Sequence, residues 1–252
     1  MSVAFAYLLM AKTNVYIDGF NFYYGALKHT PYKWIDLSRL CAHLFPADTI
    51  HRIRYFTARV KPTHNDPYAP IRQEIYLRAL RTIPNLSIFL GRYVQHPGMA
   101  PQFPLVYINH PKRHSAVKSK LIEQPEYAYI ADGSGSLDGC EPARTYVLDR
   151  QEKGSDVNLA AMLLSDCYED DFEKAVVISN DSDLCMPIEL SIKRCHKHVT
   201  VVNPHDKSYS SSHLKRIASD YVQTINRSVL ISSQFPPTLR DTTGFFTKPA
   251  KW

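Results

Sequence analysis

Asn14-Val15-Tyr16-Ile17-Asp18 and Ala175-Val176-Val177-Ile178-Ser179-Asn180-Asp181-Ser182-Asp183 decide how this chain folds. Each is a short strand-like run that ends on carboxylates. A third acid, Asp156, opens an apolar helical stretch between them. Open α/β sheets place their ligands just outside the carboxyl ends of the strands, so acids at these points belong to a crevice. Several carboxylates converging there repel one another unless something positive lies between them. A hard divalent cation with oxygen ligands, most simply Mg²⁺, answers that need.

Working outward, Gly19 gives a tight turn after the first strand, and 20–28 reads as a helix rich in aromatics. Asp36 is placed to cap a helix over 37–45. Residues 50–60 alternate as a strand. The spacing of Ile71, Ile75, Leu77 and Leu80 predicts an amphipathic helix over 67–83, with Arg72, Arg78 and Arg81 on its other side. A strand follows at 86–94. Residues 96–142 hold Pro97, Pro101, Pro104, Pro111 and Pro125, then Gly133-Ser134-Gly135-Ser136. They read as an insertion, either a long loop or a two-stranded ribbon. Strand 145–148, an apolar helix 156–167, strand 174–178, helix 184–195 and strand 199–202 complete the pattern. Strands alternating with helices imply an α/β fold whose mostly parallel sheet is covered on both faces. The expected organisation is an extension over 1–11, one domain over 12–231 interrupted by the basic insertion, and a Pro- and Thr-rich tail over 232–252. Met10 would serve as a start as well as Met1.

At 252 residues, 44% hydrophobic and 21% charged, the chain can bury a sizeable core. No apolar run approaches the roughly 20 residues that span a bilayer, which argues against a membrane role. The apolar opening lacks the basic flank of a secretory signal. Five cysteines (Cys41, Cys140, Cys167, Cys185, Cys195) include no C-x-x-C pair and point to free thiols in a reducing, cytoplasmic setting. Cys195-His196-Lys197-His198 is too sparse for the four ligands of a structural zinc site. Residues 51–120 carry twelve Lys and Arg against Asp66 and Glu74, whereas 121–190 carry sixteen acids against four bases. Basic flanks around an acidic centre suit a polyanion held by its phosphates and cut at a metal, although solvated surfaces give the same pattern.

Each acidic motif has a structural explanation beside the functional one. Asp18 suits a helix cap, and Asn21, three residues on, can orient water or a phosphate. Ser179, Asp181 and Asp183 suit turn formation, yet five polar residues crowd one turn where one cap would suffice, and their i, i+2, i+4 spacing allows convergence on a cation. Asp156 follows Lys153-Gly154-Ser155, with Ser155 a candidate cap and Asn158 close behind. An acid opening a buried helix is costly unless paired or metal-bound. Asp166 lies nearly three turns further, about 15 Å along the axis, as an auxiliary or surface residue.

Together, Asn14-Val15-Tyr16-Ile17-Asp18-Gly19-Phe20-Asn21, Lys153-Gly154-Ser155-Asp156-Val157-Asn158-Leu159-Ala160 and Val176-Val177-Ile178-Ser179-Asn180-Asp181-Ser182-Asp183-Leu184 resemble the NYN domain, in the LabA-like branch of the PIN-like nuclease superfamily. The resemblance spans about residues 12–204, broken by the poorly matching middle. It implies a three-layer α/β/α sandwich with a Rossmann-like (PIN-like) sheet and metal-dependent ribonuclease activity. It places Asp18, Asp156, Asp181 and Asp183 at the family's acidic positions and Asn21 at its polar one. One departure stands out: Met162 occupies a position where many members carry a further acid.

The implied reaction is hydrolysis of an RNA phosphodiester with Mg²⁺ or Mn²⁺ held by Asp18, Asp156, Asp181 and Asp183, the metal making a bound water more acidic. Asn21 and Ser179 would orient water or phosphate. Arg54, Arg59, Lys61, Lys112, Arg113, Lys118 and Lys120 are candidate contacts to the backbone of RNA, single-stranded by expectation. Phe20, Phe22, Tyr23 and Tyr24 offer rings for unpaired bases, though helical spacing puts half or more of them in the core. A homo-oligomer is compatible with this reading. Three rivals stand beside this: a binding module with a degenerate metal site, which Met162 favours; a Toprim-like phosphotransfer domain, which needs a glutamate where Asp18 stands; and a nucleotide-sugar transferase, which leaves Asp18 and Asp156 unexplained.

Overall fold

The computed structural model describes residues 11–62, 66–101, 107–109, 120–121, 130–131, 140–142 and 144–252, with backbone alone over 95–151. The expected extension over 1–11 therefore lies almost wholly outside the described residues.

The strands are β1 (Lys12–Asp18), β2 (Thr49–Ala58), β3 (Leu86–Pro101), β4 (Tyr107–Asn109), β5 (Lys120–Leu121), β6 (Ile130–Ala131), β7 (Cys140–Pro142), β8 (Arg144–Lys153), β9 (Lys174–Ile178), β10 (His198–Val202), β11 (Asp220–Val222), β12 (Thr238–Asp241) and β13 (Gly244–Thr247). The helices are α1 (Gly19–Phe22, continuing as a π-turn over Tyr23–Leu27), α2 (Leu37–Leu44), α3 (Ala69–Leu80), α4 (Ser155–Tyr168), α5 (Cys185–Lys193), α6 (Ser212–Ile217) and α7 (Arg227–Ser232). One compact unit takes in the chain up to Tyr93 and from Glu152 onward, and the second is Val94–Gln151. In the second, β4 pairs antiparallel with β7, and β5 with β6.

A seven-stranded sheet runs β11-β10-β9-β1-β2-β3-β8. The pairs β10–β11, β9–β10, β1–β9, β1–β2 and β2–β3 are all parallel. From β1 the chain steps to β2 and β3 on one side, and later returns through β9 to β10 and β11 on the other. The strand order thus reverses between β1 and β9, the place where a doubly wound sheet opens a crevice at its carboxyl edge.

Period-two alternation along β1 sorts the core into two layers. Val15 and Ile17 join one cluster with Leu37, Leu40, Leu77 and Leu80, under α2 and α3. Tyr16 faces the other cluster, with Leu159, Leu163 and Ile188 of α4 and α5. Both faces of the sheet are covered, which makes the α/β/α sandwich expected from the pattern.

Asp36 caps α2 through its Oδ1, which accepts from Ser38 N at 2.9 Å. The helix expected over 20–28 forms as an α-turn that widens into the π-turn. Two local expectations are corrected. Gly154, not Ser155, caps α4, at φ +98°, a conformation that a side chain disfavours. The segment after Ser232 is no loose tail: Phe235, Phe246 and Trp252 pack around Trp34 and Tyr76, and Trp34 Nε1 donates to Pro236 O at 2.9 Å. Its Pro and Thr content suggests a tail, but β12 and β13 form a hairpin anchored by a two-pronged ion pair between Arg78 and Asp241.

Candidate active site at the carboxyl edge of the sheet

Asp18 is the last residue of β1 and is almost fully buried (4% exposed). Its Oδ1 accepts from Asn21 N at 2.9 Å, so it does cap α1. Its Oδ2 accepts from Ser179 Oγ at 3.0 Å, a bond that ties the ends of β1 and β9 together. Burial pushes its carboxyl above the usual range, against the two hydrogen bonds, and the Asp181 charge adds to the rise.

Ser179 also accepts from Asp181 N at 3.1 Å, and Asp181 Oδ1 accepts from Asp183 N at 3.0 Å. The turn is therefore held by its own side chains, as Asx and Ser turns are. Ser179 is buried, Asp181 half-buried and Asp183 exposed. Exposure thus rises along the turn from Ser179 at the strand end to Asp183.

Asp156 lies in the first turn of α4. Its carboxyl is pushed up to about 6, chiefly by burial and then by the charges of Asp18, Asp181, Glu152 and Asp183. Four other carboxylates thus act on Asp156 at the crevice. Glu152 is the one that the sequence motifs missed: its Oε1 accepts from Ser155 N at 3.2 Å, across the first turn of α4. Its signal was only its place four residues before Asp156, at the margin of the poorly matching segment.

Asn21 is held from two directions. Its Oδ1 accepts from Asn180 N at 3.0 Å and stands 3.1 Å from His205 Nε2. A backbone N–H can only donate, so the oxygen of the carboxamide faces it, and His205 must carry its hydrogen on Nε2 to bond the same oxygen. Both hydrogens of Asn21 Nδ2 then face away from these two partners. Burial lowers the His205 pKa, against the opposing charge of Asp206, which favours the neutral ring. His205 belongs to none of the three sequence motifs. Its signal was position: Asn203-Pro204-His205-Asp206 directly follows β10 at the same edge as Asp18 and Asp181. Asn180 completes the link, with Nδ2 donating to Tyr209 O and Oδ1 accepting from Ser211 N at 2.7 Å.

Other expected site residues lie elsewhere. Asp166 is buried, accepting from Arg54 Nε at 2.6 Å, Arg54 Nη2 at 2.5 Å and Tyr16 OH at 2.6 Å. Arg54 is thereby removed from the candidate RNA contacts and Asp166 from the auxiliary acids: the two form an internal ion pair (side chains 11% and 3% exposed). Arg59 is exposed and paired with Glu74, and Lys61 is exposed. Lys112, Arg113 and Lys118 lie outside the described residues, and Lys120 is described only as backbone in β5. Asn158 is half-buried one turn into α4, its N–H bonded to Gly154 O at 2.9 Å. Met162 packs against the core cluster beneath α4.

The donors at the crevice are all oxygens, and their mutual repulsion is what a hard cation relieves, so their chemistry fits Mg²⁺ or Mn²⁺. Among the described residues no three His, Cys, Asp or Glu side chains stand close enough to share an ion as placed. Seating one requires the carboxylates on the rim to turn inward. Among the described residues no helix is long and apolar enough to cross a membrane.

No family model matches the chain. It is 27% identical over 246 residues to 6-hydroxy-3-succinoylpyridine 3-monooxygenase HspA of Pseudomonas putida (strain DSM 28022 / S16), covering 89% of this chain and 70% of that enzyme. Among solved structures, a protein of unknown function, VPA0982, from Vibrio parahaemolyticus RIMD 2210633 aligns with a TM-score of 0.47 and 16% identity, over 86% of this chain and 94% of that one.

Proposed function

We propose that this protein hydrolyses RNA phosphodiesters at the crevice between β1 and β9, with Asp18, Asp156, Asp181 and Asp183 holding Mg²⁺ or Mn²⁺ and Glu152 beside them. The observation that carries this is the placing of carboxylates from β1, α4 and the turn after β9 at the switch point of a parallel sheet, where burial first, and then the charges of the other carboxylates, push the Asp156 carboxyl up to about 6. The resemblance of the same three segments to the NYN domain supports it.

A divalent cation held there would neutralise charge on the phosphate and make water a better nucleophile. The chain's own groups do the rest. Asp18, fixed by Asn21 N and Ser179 Oγ, gives the site one carboxylate that cannot swing. Asn21, fixed by Asn180 and His205, turns an amide N–H toward a non-bridging phosphate oxygen, a donor worth most where negative charge develops.

A second reading, oxygenation of a hydroxypyridine ring, draws on the Pseudomonas enzyme's name and the length of that similarity. It ranks lower, because β1 runs into Asp18-Gly19-Phe20-Asn21 where dinucleotide-binding folds carry a glycine fingerprint.

The test is incubation of the protein with labelled single-stranded RNA, single-stranded DNA and duplex, in Mn²⁺ or EDTA, alongside Asp18→Asn and Asp181→Asn. Cleavage of RNA in Mn²⁺ that both substitutions abolish is expected. Cleavage that survives both, or none in wild type, sinks the hydrolytic reading; loss of 6-hydroxy-3-succinoylpyridine that requires O₂ and a two-electron reductant would establish the second.

A further inference from the structure

Rings as well as acids line this end of the sheet. Phe20, two residues after Asp18, meets Tyr93 of β3 edge to face, centroids 6.1 Å apart at 87°. Tyr23 and Tyr24 meet in the same way at 5.3 Å and 80°. Phe22 alone of the run 20–24 is buried in the core. Phe20, Tyr23 and Tyr93 are half-buried, and Tyr24 is 54% exposed. Core packing therefore does not account for Tyr24 or for the outward part of the Phe20–Tyr93 pair. The Lys28 ammonium lies 4.7 Å from the Tyr24 ring centroid.

This rim borders the acidic cluster. Tyr24 follows Phe20 by four residues, about one helical turn along the same segment, and Glu152 Oε1 lies against Gly91, two residues before Tyr93 on β3; the Tyr93 hydroxyl, raised by burial and then by Tyr24 and Glu152, agrees with this. Glu152 in turn acts on Asp156. Partly exposed rings beside a cation are the arrangement on which unpaired bases stack, because every base offers a π-face whatever its sequence. A base within a duplex is already stacked on both sides and has no face to give.

We propose that Phe20, Tyr24 and Tyr93 form a subsite for one unpaired nucleobase of a single-stranded polynucleotide, with Lys28 beside it for the backbone. Delivery of the neighbouring phosphate to the carboxylates rests on the hydrolytic reading above; the stacking does not. The subsite gives the protein a preference for single strands without a preference for sequence.

The test measures binding in EDTA, where cleavage plays no part, by anisotropy of a labelled single-stranded RNA 8-mer. Competitors are an abasic strand of equal charge, a duplex, and 6-hydroxypyridine-3-carboxylate. Wild type should bind the 8-mer more tightly than the abasic strand or the duplex. Tyr24→Ala, at an exposed position that leaves the fold intact, should weaken binding roughly 5- to 100-fold, the range of one lost stacking contact. Tyr24→Phe should retain it, and Tyr93→Leu should weaken it in the same direction. The dependence on salt should keep its slope in Tyr24→Ala, since stacking releases no counterions. Equal binding of the abasic strand, unchanged affinity in both Tyr24→Ala and Tyr93→Leu, or binding of the hydroxypyridine with none of the 8-mer would overturn the assignment. Base-dependent binding without Mn²⁺-dependent cleavage would leave the subsite standing and the hydrolytic reading refuted.

Discussion

His205 Nε2 stands 3.1 Å from Asn21 Oδ1, so the loop after β10 steadies the first turn after β1. Removing the imidazole frees the carboxamide to rotate about its own bonds, while Asn180 N keeps only one of two restraints. His205→Ala is expected to lower kcat for RNA about tenfold with KM nearly unchanged, a mild version of losing a positioned donor. His205→Gln, whose amide can donate to the same oxygen, should recover most of the loss. Steady-state cleavage kinetics check it, and an equal loss in both variants would show that His205 serves packing instead.

Asp156 gives a pH-dependent stability. It titrates at about 6 when folded and near 3.9 when unfolded. The folded state holds this proton more tightly, so its ionised form costs stability: nothing below pH 4, progressively more from 4 to 6, and the full amount above 6. Asp156→Asn should stabilise the protein at pH 7 by on the order of 1–2 kcal/mol after solvent screening, and hardly at all at pH 4. Urea denaturation at the two pH values measures the difference.

Wild-type affinity for Mn²⁺ should fall as pH drops from 7 to 5, because the proton competes for the Asp156 carboxylate. Asp156→Asn should bind more weakly at pH 7 and lose most of this dependence. Titration calorimetry at the two pH values reads both effects, and identical affinity in wild type and variant would remove Asp156 from the ligand set.

Arg54 and Asp166 supply a contrast. Arg54→Met strands a buried carboxylate, a loss of roughly 3–5 kcal/mol. Tyr16→Phe removes one hydrogen bond to the same carboxylate and should cost about 1 kcal/mol. Chemical denaturation should rank them so, while Arg54→Met leaves the salt dependence of RNA binding unchanged. A reduced salt slope in that variant would return Arg54 to the nucleic-acid contacts.

Deleting 233–252 should leave no cooperative unfolding transition. The deletion strips Phe235, Phe246 and Trp252 from the core around Trp34. Each such aromatic contributes about 3–5 kcal/mol, and together they match the whole stability of an average domain. Thermal circular dichroism reads the outcome directly.

The sheet was legible because buried parallel strands leave a strong mark: Lys174–Ile178 appears as expected, and the helices over 37–45 and 156–167 shift by only a residue or so at their ends. Asp18, Asp156 and Asp181 stand out for a related reason, since each marks an end of an apolar run. What escaped the sequence depends on three-dimensional partners. His205, Glu152 and Tyr93 look ordinary in their own segments and gain meaning only from Asn21, Asp156 and Phe20. Arg54 was misread because its spacing on an alternating strand gives no hint that Asp166 waits on the facing helix. Composition misjudged the C-terminal segment, whose prolines and threonines flank three aromatics that the core recruits.

Gly91 touches the start of α4 so closely that a Cβ there would fall 2.5 Å from Glu152 Oε1, 2.8 Å from Lys153 O and 3.0 Å from Ser155 N. The main chain therefore departs for the insertion and comes home at adjoining points, already cinched together by the sandwich itself. Joining such points with a short linker costs little chain entropy. The start of α4, and Asp156 with it, is thus held against β3 at Gly91.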